Sequence, residues 1–319
     1  MPTNVYVNDA KKIILSYATI FIAASLRTGH RLDILLANMM RYAPHILGKR
    51  YAAITIILAA DHGPAKLLAV AEGWFHRLYK PMAQKRDTSS GGIQPSPSPL
   101  TPLLGATTNA VGLVKSRDGG SFREKVLNRD GKCMISGRKD FRIGIEEIRA
   151  LNAAPQIYGK LEAAHIIPFS LNSDRQAKGQ AAQTWSMLRA WSGNELQVTR
   201  LAGKNINSIR NGMLLEVHMH AVFDEFLIYF EQIPDSNRKY IVKLTIPGLN
   251  VFHDLITDSM EVTFSGEDAD IPDPLYLKIH ASVAKCIMPA LYIDNFSDAE
   301  WWIKTVEDVA EETDRMIED

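Results

Sequence analysis

Between residues 8 and 83 the apolar positions recur at helical spacing. Leu32, Leu35, Leu36, Met39 and Met40 fall at i, i+3, i+4, i+7 and i+8, one face of an amphipathic helix in a bundle. Breaks near Thr28-Gly29, Ala43-Pro44 and His62-Gly63-Pro64 divide the region into three or four helices. Trp74, Phe75, Leu78 and Tyr79 give the last of them its apolar face. The pattern stops over 88–108, where Ser89-Ser90-Gly91-Gly92 and Pro95-Ser96-Pro97-Ser98-Pro99 offer nothing to pack and favour extended backbone, the composition of a spacer. It resumes with a short helix at 121–128, the turn Arg129-Asp130-Gly131 and a strand at 132–135. An apolar strand at 161–167 is closed by Pro168, and a helix over 176–191 carries Trp185, Leu188 and Trp191 on one side. From Asn211 a turn and short strand lead to a helix at 216–225, after which the alternating runs 226–232 and 240–246 predict a hairpin. A last helix over 299–318 presents Trp301, Trp302, Val306, Val309 and Met316 for packing. The predicted class is α+β preceded by an all-α bundle: bundle 1–86, linker 87–114, mixed domain 115–260, acidic helical extension 261–319.

No apolar stretch reaches the roughly 18 to 20 residues of a membrane span. Residues 13–26 are uncharged and follow Lys11 and Lys12, the outline of a secretory signal. The helical stripe that follows favours a buried helix there instead, which predicts an intracellular chain, in nucleus or cytoplasm, with no membrane partner. Its two cysteines, Cys133 and Cys286, lie far apart and exclude both a disulfide framework and an all-thiolate zinc site. His30, His45, His62 and His76 match no metal-ligand spacing. The zero net charge conceals a gradient: residues 1–114 carry +7, residues 115–215 carry +8 and residues 216–319 carry −15. A basic middle of this kind suits a polyanion, with the acidic third either solvated or competing for the same surface.

Three blocks carry candidate chemistry. Leu161-Glu162-Ala163-Ala164-His165-Ile166-Ile167-Pro168 sets a histidine at a strand end, Asn211-Gly212-Met213-Leu214-Leu215 an amide at a turn, and His218-Met219-His220-Ala221-Val222-Phe223-Asp224 two imidazoles on a helix. His218 and His220 lie about 200° apart around a helix axis, so only one faces the strand of His165. His220 and Asp224, at i and i+4, share a face.

These blocks, with Arg129-Asp130-Gly131-Lys132-Cys133-Met134-Ile135-Ser136-Gly137, resemble the HNH endonucleases of a type frequent in fungal genomes, whose members read approximately R-D-x-x-C-x-x-[ST]-G, E-A-A-H-I-I-P, N-G-x-x-L and H-x-x-F-D. The resemblance covers roughly 117–250. It implies a ββα-metal fold and metal-dependent hydrolysis of nucleic-acid, above all DNA, phosphodiesters. Hydrolysis needs an activated water and a sink for phosphate charge, which an imidazole near its working pH and a Lewis-acidic ion provide. His165 is then the candidate general base, and Asn211 orients it or the turn. The family spacing selects His220, nine residues after Asn211, as metal-holding histidine. Glu162 and Asp224 are further candidate ligands, and His165 itself stays open. Where many HNH enzymes place a ligand directly before the base, this chain has Ala164. The implied cofactor is one divalent ion, Mg²⁺ or Mn²⁺, with Zn²⁺ or Ni²⁺ as alternatives. Arg129, Lys132, Arg138 and Lys139 before the first histidine block, and Arg200, Lys204 and Arg210 before Asn211, are candidate phosphate contacts, which position rather than specify. The bundle is a candidate protein-docking element. The alternative to cleavage is a degenerate HNH fold that binds nucleic acid or protein without cutting.

Overall fold

Gly29 adopts a left-handed φ of 72° at the end of the second helix, and Gly63, at φ 90°, precedes Pro64 at the first position of the fifth. These glycine and proline signals place helix ends where the sequence predicted breaks. The computed structural model describes residues 2–83, 119–142, 145, 157–172, 178–246 and 260–292. The expected linker and the expected helix at 299–318 lie outside the described residues. The described chain is mixed helix and strand with small sheets, and none of its helices is long and apolar enough to cross a membrane.

The chain divides into two compact units, neither a single stretch of sequence: Met1–Lys80, Ser186–Leu196 and Ser282–Asp319 form one, Pro81–Trp185 and Gln197–Ala281 the other. The first unit holds helices α1 (Thr3–Ser16), α2 (Ala18–Thr28), α3 (Leu32–Arg41), α4 (Ile46–Asp61) and α5 (Pro64–Trp74), the last continued by a π-helical segment at Phe75–Tyr79. A break at Tyr17, not expected, splits the apolar run 13–26 between α1 and α2. The stripe on α3 proves to be part of a helix buried on every side from Leu32 to Met40. Two of its buried polar residues find partners within the core: Asp33 takes a bidentate bond from Arg31 at 3.0 and 2.7 Å, and Asn38 faces the Lys285 and Cys286 carbonyls. His45 caps α4 through Nδ1, which accepts from the Leu47 N–H at 3.1 Å.

The second unit contains α6 (Gly119–Asp130), β1 (Lys139–Asp140), β2 (Tyr158–Gly159), β3 (Leu161–His165), α7 (Lys178–Trp191, whose last turns belong to the first unit), β4 (Gly212–Glu216), α8 (Val217–Asp224), β5 (Ile228–Gln232), β6 (Lys239–Leu244) and β7 (Met260–Thr263). Helix α9 (Pro274–Tyr292) is likewise divided between the units. Strands β3 and β4 pair antiparallel, with His165 opposite Gly212 and Glu162 opposite Leu215. β5, β6 and β7 form an antiparallel sheet in that order, so the expected hairpin gains a third strand. Met260–Thr263 completes this sheet, and the first turns of α9 belong to the same unit.

The strand expected at 132–135 is a tight turn. Lys132 makes a single bridge to Lys139, and Gly137, at φ 70°, donates to the Cys133 carbonyl at 3.0 Å. The Cys133 sulfur accepts from the Ser136 and Glu216 N–H groups at 3.4 and 3.3 Å.

Candidate functional site

Alternation along β3 decides what its side chains meet, because neighbouring residues point to opposite faces. Glu162 and Ala164 share the face toward α8, where Glu162 Oε2 lies 3.0 Å from His220 Nδ1. His165 emerges on the other face with its partner Gly212, toward α6: its ring stacks on Phe122 at 4.2 Å and 15° and lies 5.8 Å from Phe169. His165 Nε2 is 2.9 Å from Asn207 Oδ1. His165 and the His220 cluster thus leave the strand pair on opposite faces.

Asn211 is fully buried and its amide is committed to backbone. Oδ1 accepts from the Ile167 N–H at 2.8 Å, while Nδ2 donates to the carbonyls of Ile167 at 2.9 Å and Ile206 at 3.0 Å. Its own carbonyl accepts from Ile166 N–H at 3.0 Å. These bonds end the strand after His165, so that the expected run to 167 bends away at Ile166. Asn211 holds the chain on which the histidine stands, and its amide bonds backbone groups of Ile167 and Ile206. Such a clamp is strong because loss of it would strand several buried polar groups, each at about 1–3 kcal/mol.

On α8, His220 Nε2 lies 3.3 Å from Asp224 Oδ2, the i, i+4 contact expected of this helix, and Asp224 is buried. Two ligands of one ion at about 2.1 Å each stand about 3.0 to 3.4 Å apart, so His220 and Asp224 fit as neighbours in one coordination shell. Glu162 sits at the opposite ring nitrogen, with Oε2 on Nδ1. Among the described residues no three of His, Cys, Asp and Glu converge to hold a metal ion. His218 is exposed, with Nε2 3.8 Å from Glu216 Oε1. Glu216 is buried, bonded through Oε1 to Arg138 at 3.1 Å.

The basic residues separate sharply. Arg129 is withdrawn from any surface role: its side chain is 3% exposed and bonds Asp130 through Nε and Nη2, the Ile209 and Asp270 carbonyls through Nη1 and the Gly212 carbonyl through Nη2. All five guanidinium donors are in use. Arg210 bonds the Asp268 and Ala269 carbonyls and Asp273, and Arg138 bonds Glu216. Lys132, Arg200 and Lys204 are exposed and Lys139 half-buried. The acidic third meets the basic middle here, with Asp268, Asp270 and Asp273 presenting oxygen atoms to arginines.

With the histidine, the buried asparagine and the helical histidine in place, a comparison of sequences adds a match over part of the chain. Residues 133–231 match the HNH endonuclease family model. No curated protein and no solved structure matches the chain significantly. The HNH match begins at Cys133 and runs into β5, so Phe122, which stacks on His165, lies outside it. Sequence reading missed Phe122, Asn207 and buried His280, which stacks on Phe223 at 3.7 Å and 8° with Nε2 3.1 Å from the Phe223 carbonyl. Burial pushes the His280 pKa down to about 3, against the opposing backbone hydrogen bond. An asparagine four residues before the N-G pair carried no signal by itself, since its partner is 42 residues away.

Proposed function

We propose that the chain is a divalent-metal-dependent HNH endonuclease that hydrolyses phosphodiester bonds, of DNA first, with His165 as general base. The observation that supports this best is the histidine at the end of β3, its ring clamped by Phe122 and Asn207, within an HNH segment. A neutral imidazole takes one proton from water as the water oxygen bonds phosphorus and the P–O3′ bond breaks. The departing oxygen is protonated by solvent, to which His165 later returns its proton. A bound Mg²⁺ or Mn²⁺, or in their place Zn²⁺ or Ni²⁺, would be held by His220 and Asp224 and would supply Lewis-acid stabilisation of the phosphate charge. Glu162 keeps the His220 ring in register through Nδ1. Of the candidate cations, Lys132, Arg200 and Lys204 are exposed and suit phosphate contacts.

A second reading, an HNH fold that holds nucleic acid or protein without cutting, is favoured by the opposite-face placement of His165 and His220. Plasmid nicking by the full chain with each metal, beside EDTA and His165→Ala, separates the two. Metal-dependent nicking abolished in the variant supports the nuclease and its base. Absence of nicking with every metal, with salt-sensitive DNA retention, selects the binder. Loss of both nicking and retention leaves a protein-interaction role.

A further inference from the structure

The geometry points to Asn207 as the positioning residue that fixes which nitrogen of His165 carries the proton, an inference that rests on His165 being the base. Asn207 Oδ1 lies 2.9 Å from His165 Nε2. An amide oxygen only accepts, so the bond requires Nε2–H, and the lone pair of the neutral ring is then on Nδ1. The stack on Phe122 at 4.2 Å fixes the plane of the ring while Asn207 fixes its rotation within that plane. As Nδ1 takes a proton, the imidazolium keeps a donor on Nε2, and the same acceptor stabilises the charged form.

Asn207 is held in turn. It ends the 3₁₀ segment Gly203–Asn207, where the carbonyl of the preceding Ile206 accepts from Asn211 Nδ2 at 3.0 Å. The same Asn211 amide bonds the Ile167 N–H and C=O at 2.8 and 2.9 Å, two residues beyond His165. One buried asparagine therefore anchors both partners of the contact, the strand end bearing the imidazole and the turn bearing its acceptor. The asparagine of the N-G pair acts on the histidine through Asn207 as well as through the backbone.

The test uses the full chain, plasmid DNA and the metal that supports nicking best, with Asn207→Ala, Asn207→Asp and His165→Ala, together with two-dimensional ¹⁵N spectra of the histidine rings. Asn207→Ala is expected to lower kcat about 10- to 100-fold, the usual effect of removing a partner that orients a functional histidine, with KM for DNA unchanged. Asn207→Asp keeps an acceptor oxygen and recovers most of the rate. The wild-type spectrum shows His165 as the Nε2–H tautomer, and the alanine variant shows a mixture. An Nδ1–H tautomer in the wild type overturns the inference, and so does an alanine variant with unchanged kcat and tautomer. If Asn207→Ala fails to fold, the wild-type ring spectrum still decides. Full activity in His165→Ala sinks the base assignment alone, because the tautomer measurement is independent of turnover.

Discussion

Burial of His280 against Phe223 and Phe226 makes the stability of the second unit depend on pH in a definite direction. Its pKa falls from 6.5 to about 3 on folding, chiefly by desolvation. Between those values the unfolded chain binds the proton and the folded chain does not. The contribution is fully present above 6.5 and is lost as pH falls toward 3, at about 1.4 kcal/mol per pH unit at the steepest. The urea midpoint is expected to drop between pH 7 and pH 5, and less so in His280→Phe; equal drops in the two proteins would remove His280 as the cause. Arg129 and Lys204 form a second contrast at this scale. Arg129→Ala leaves the Asp130 carboxylate, itself buried, without its ion partner and is expected to cost about 3–5 kcal/mol. Lys204→Ala is expected to change stability by no more than about 0.5 kcal/mol, and to lower the salt dependence of DNA retention by about one phosphate's worth if it contacts the backbone. Thermal unfolding and salt titration read the two effects separately.

Close approach of elements explains two glycines. Gly212 has ordinary extended backbone, φ −146°, so its role is not conformational freedom. A Cβ there would stand 2.5 Å from Phe122 Cζ and 3.1 Å from Val126 Cγ2, so the N-G pair admits α6 onto the strand pair and lets Phe122 reach His165. Gly48 is tighter still: an added Cβ would collide with the Trp191 backbone carbonyl, a group that cannot rotate away as a side chain can. Gly212→Ala is expected to cost about 1–3 kcal/mol, an ordinary overpacking cost, and to lower nicking by displacing Phe122. Gly48→Ala is expected to destabilise more while leaving the His165 surroundings intact. Urea unfolding ranks the pair, and the reverse order would mean that the Phe122 side is the more rigid one.

At the scale of the whole chain, the units are assembled from distant segments. Trp191 donates to the Met39 carbonyl at 2.9 Å, the Arg31 N–H to the Ala290 carbonyl at 2.9 Å, and Cys286 to the Asn38 carbonyl at 3.1 Å, all within the first unit. A chain ending at 281 loses buried Cys286, Ile287, Met288 and Ala290 from that unit. Full burial of one large aliphatic side chain is worth about 1.5–3 kcal/mol, and a domain holds only about 5–15 kcal/mol in all. Such a truncation is expected to unfold α1–α5, which limited proteolysis would show as rapid loss of fragments from 2–83. A protected N-terminal fragment would mean that the helices hold together without the C-terminal segment.

The sequence by itself determined what neighbours in the chain control. Helix ends at Gly29 and Gly63-Pro64, the helix Lys178–Trp191, the β5–β6 hairpin and the order of the His165, Asn211 and His220 blocks follow from backbone preference and short periodic patterns. Tertiary structure decided the rest: which face of β3 each histidine-bearing group occupies, that Arg129 is a core ion rather than a phosphate contact, that α3 is buried all round, and that Asn207 and Phe122 hold His165. A residue's propensity acts over a few positions, whereas burial and hydrogen-bond partnership are set by groups that folding brings from tens or hundreds of residues away.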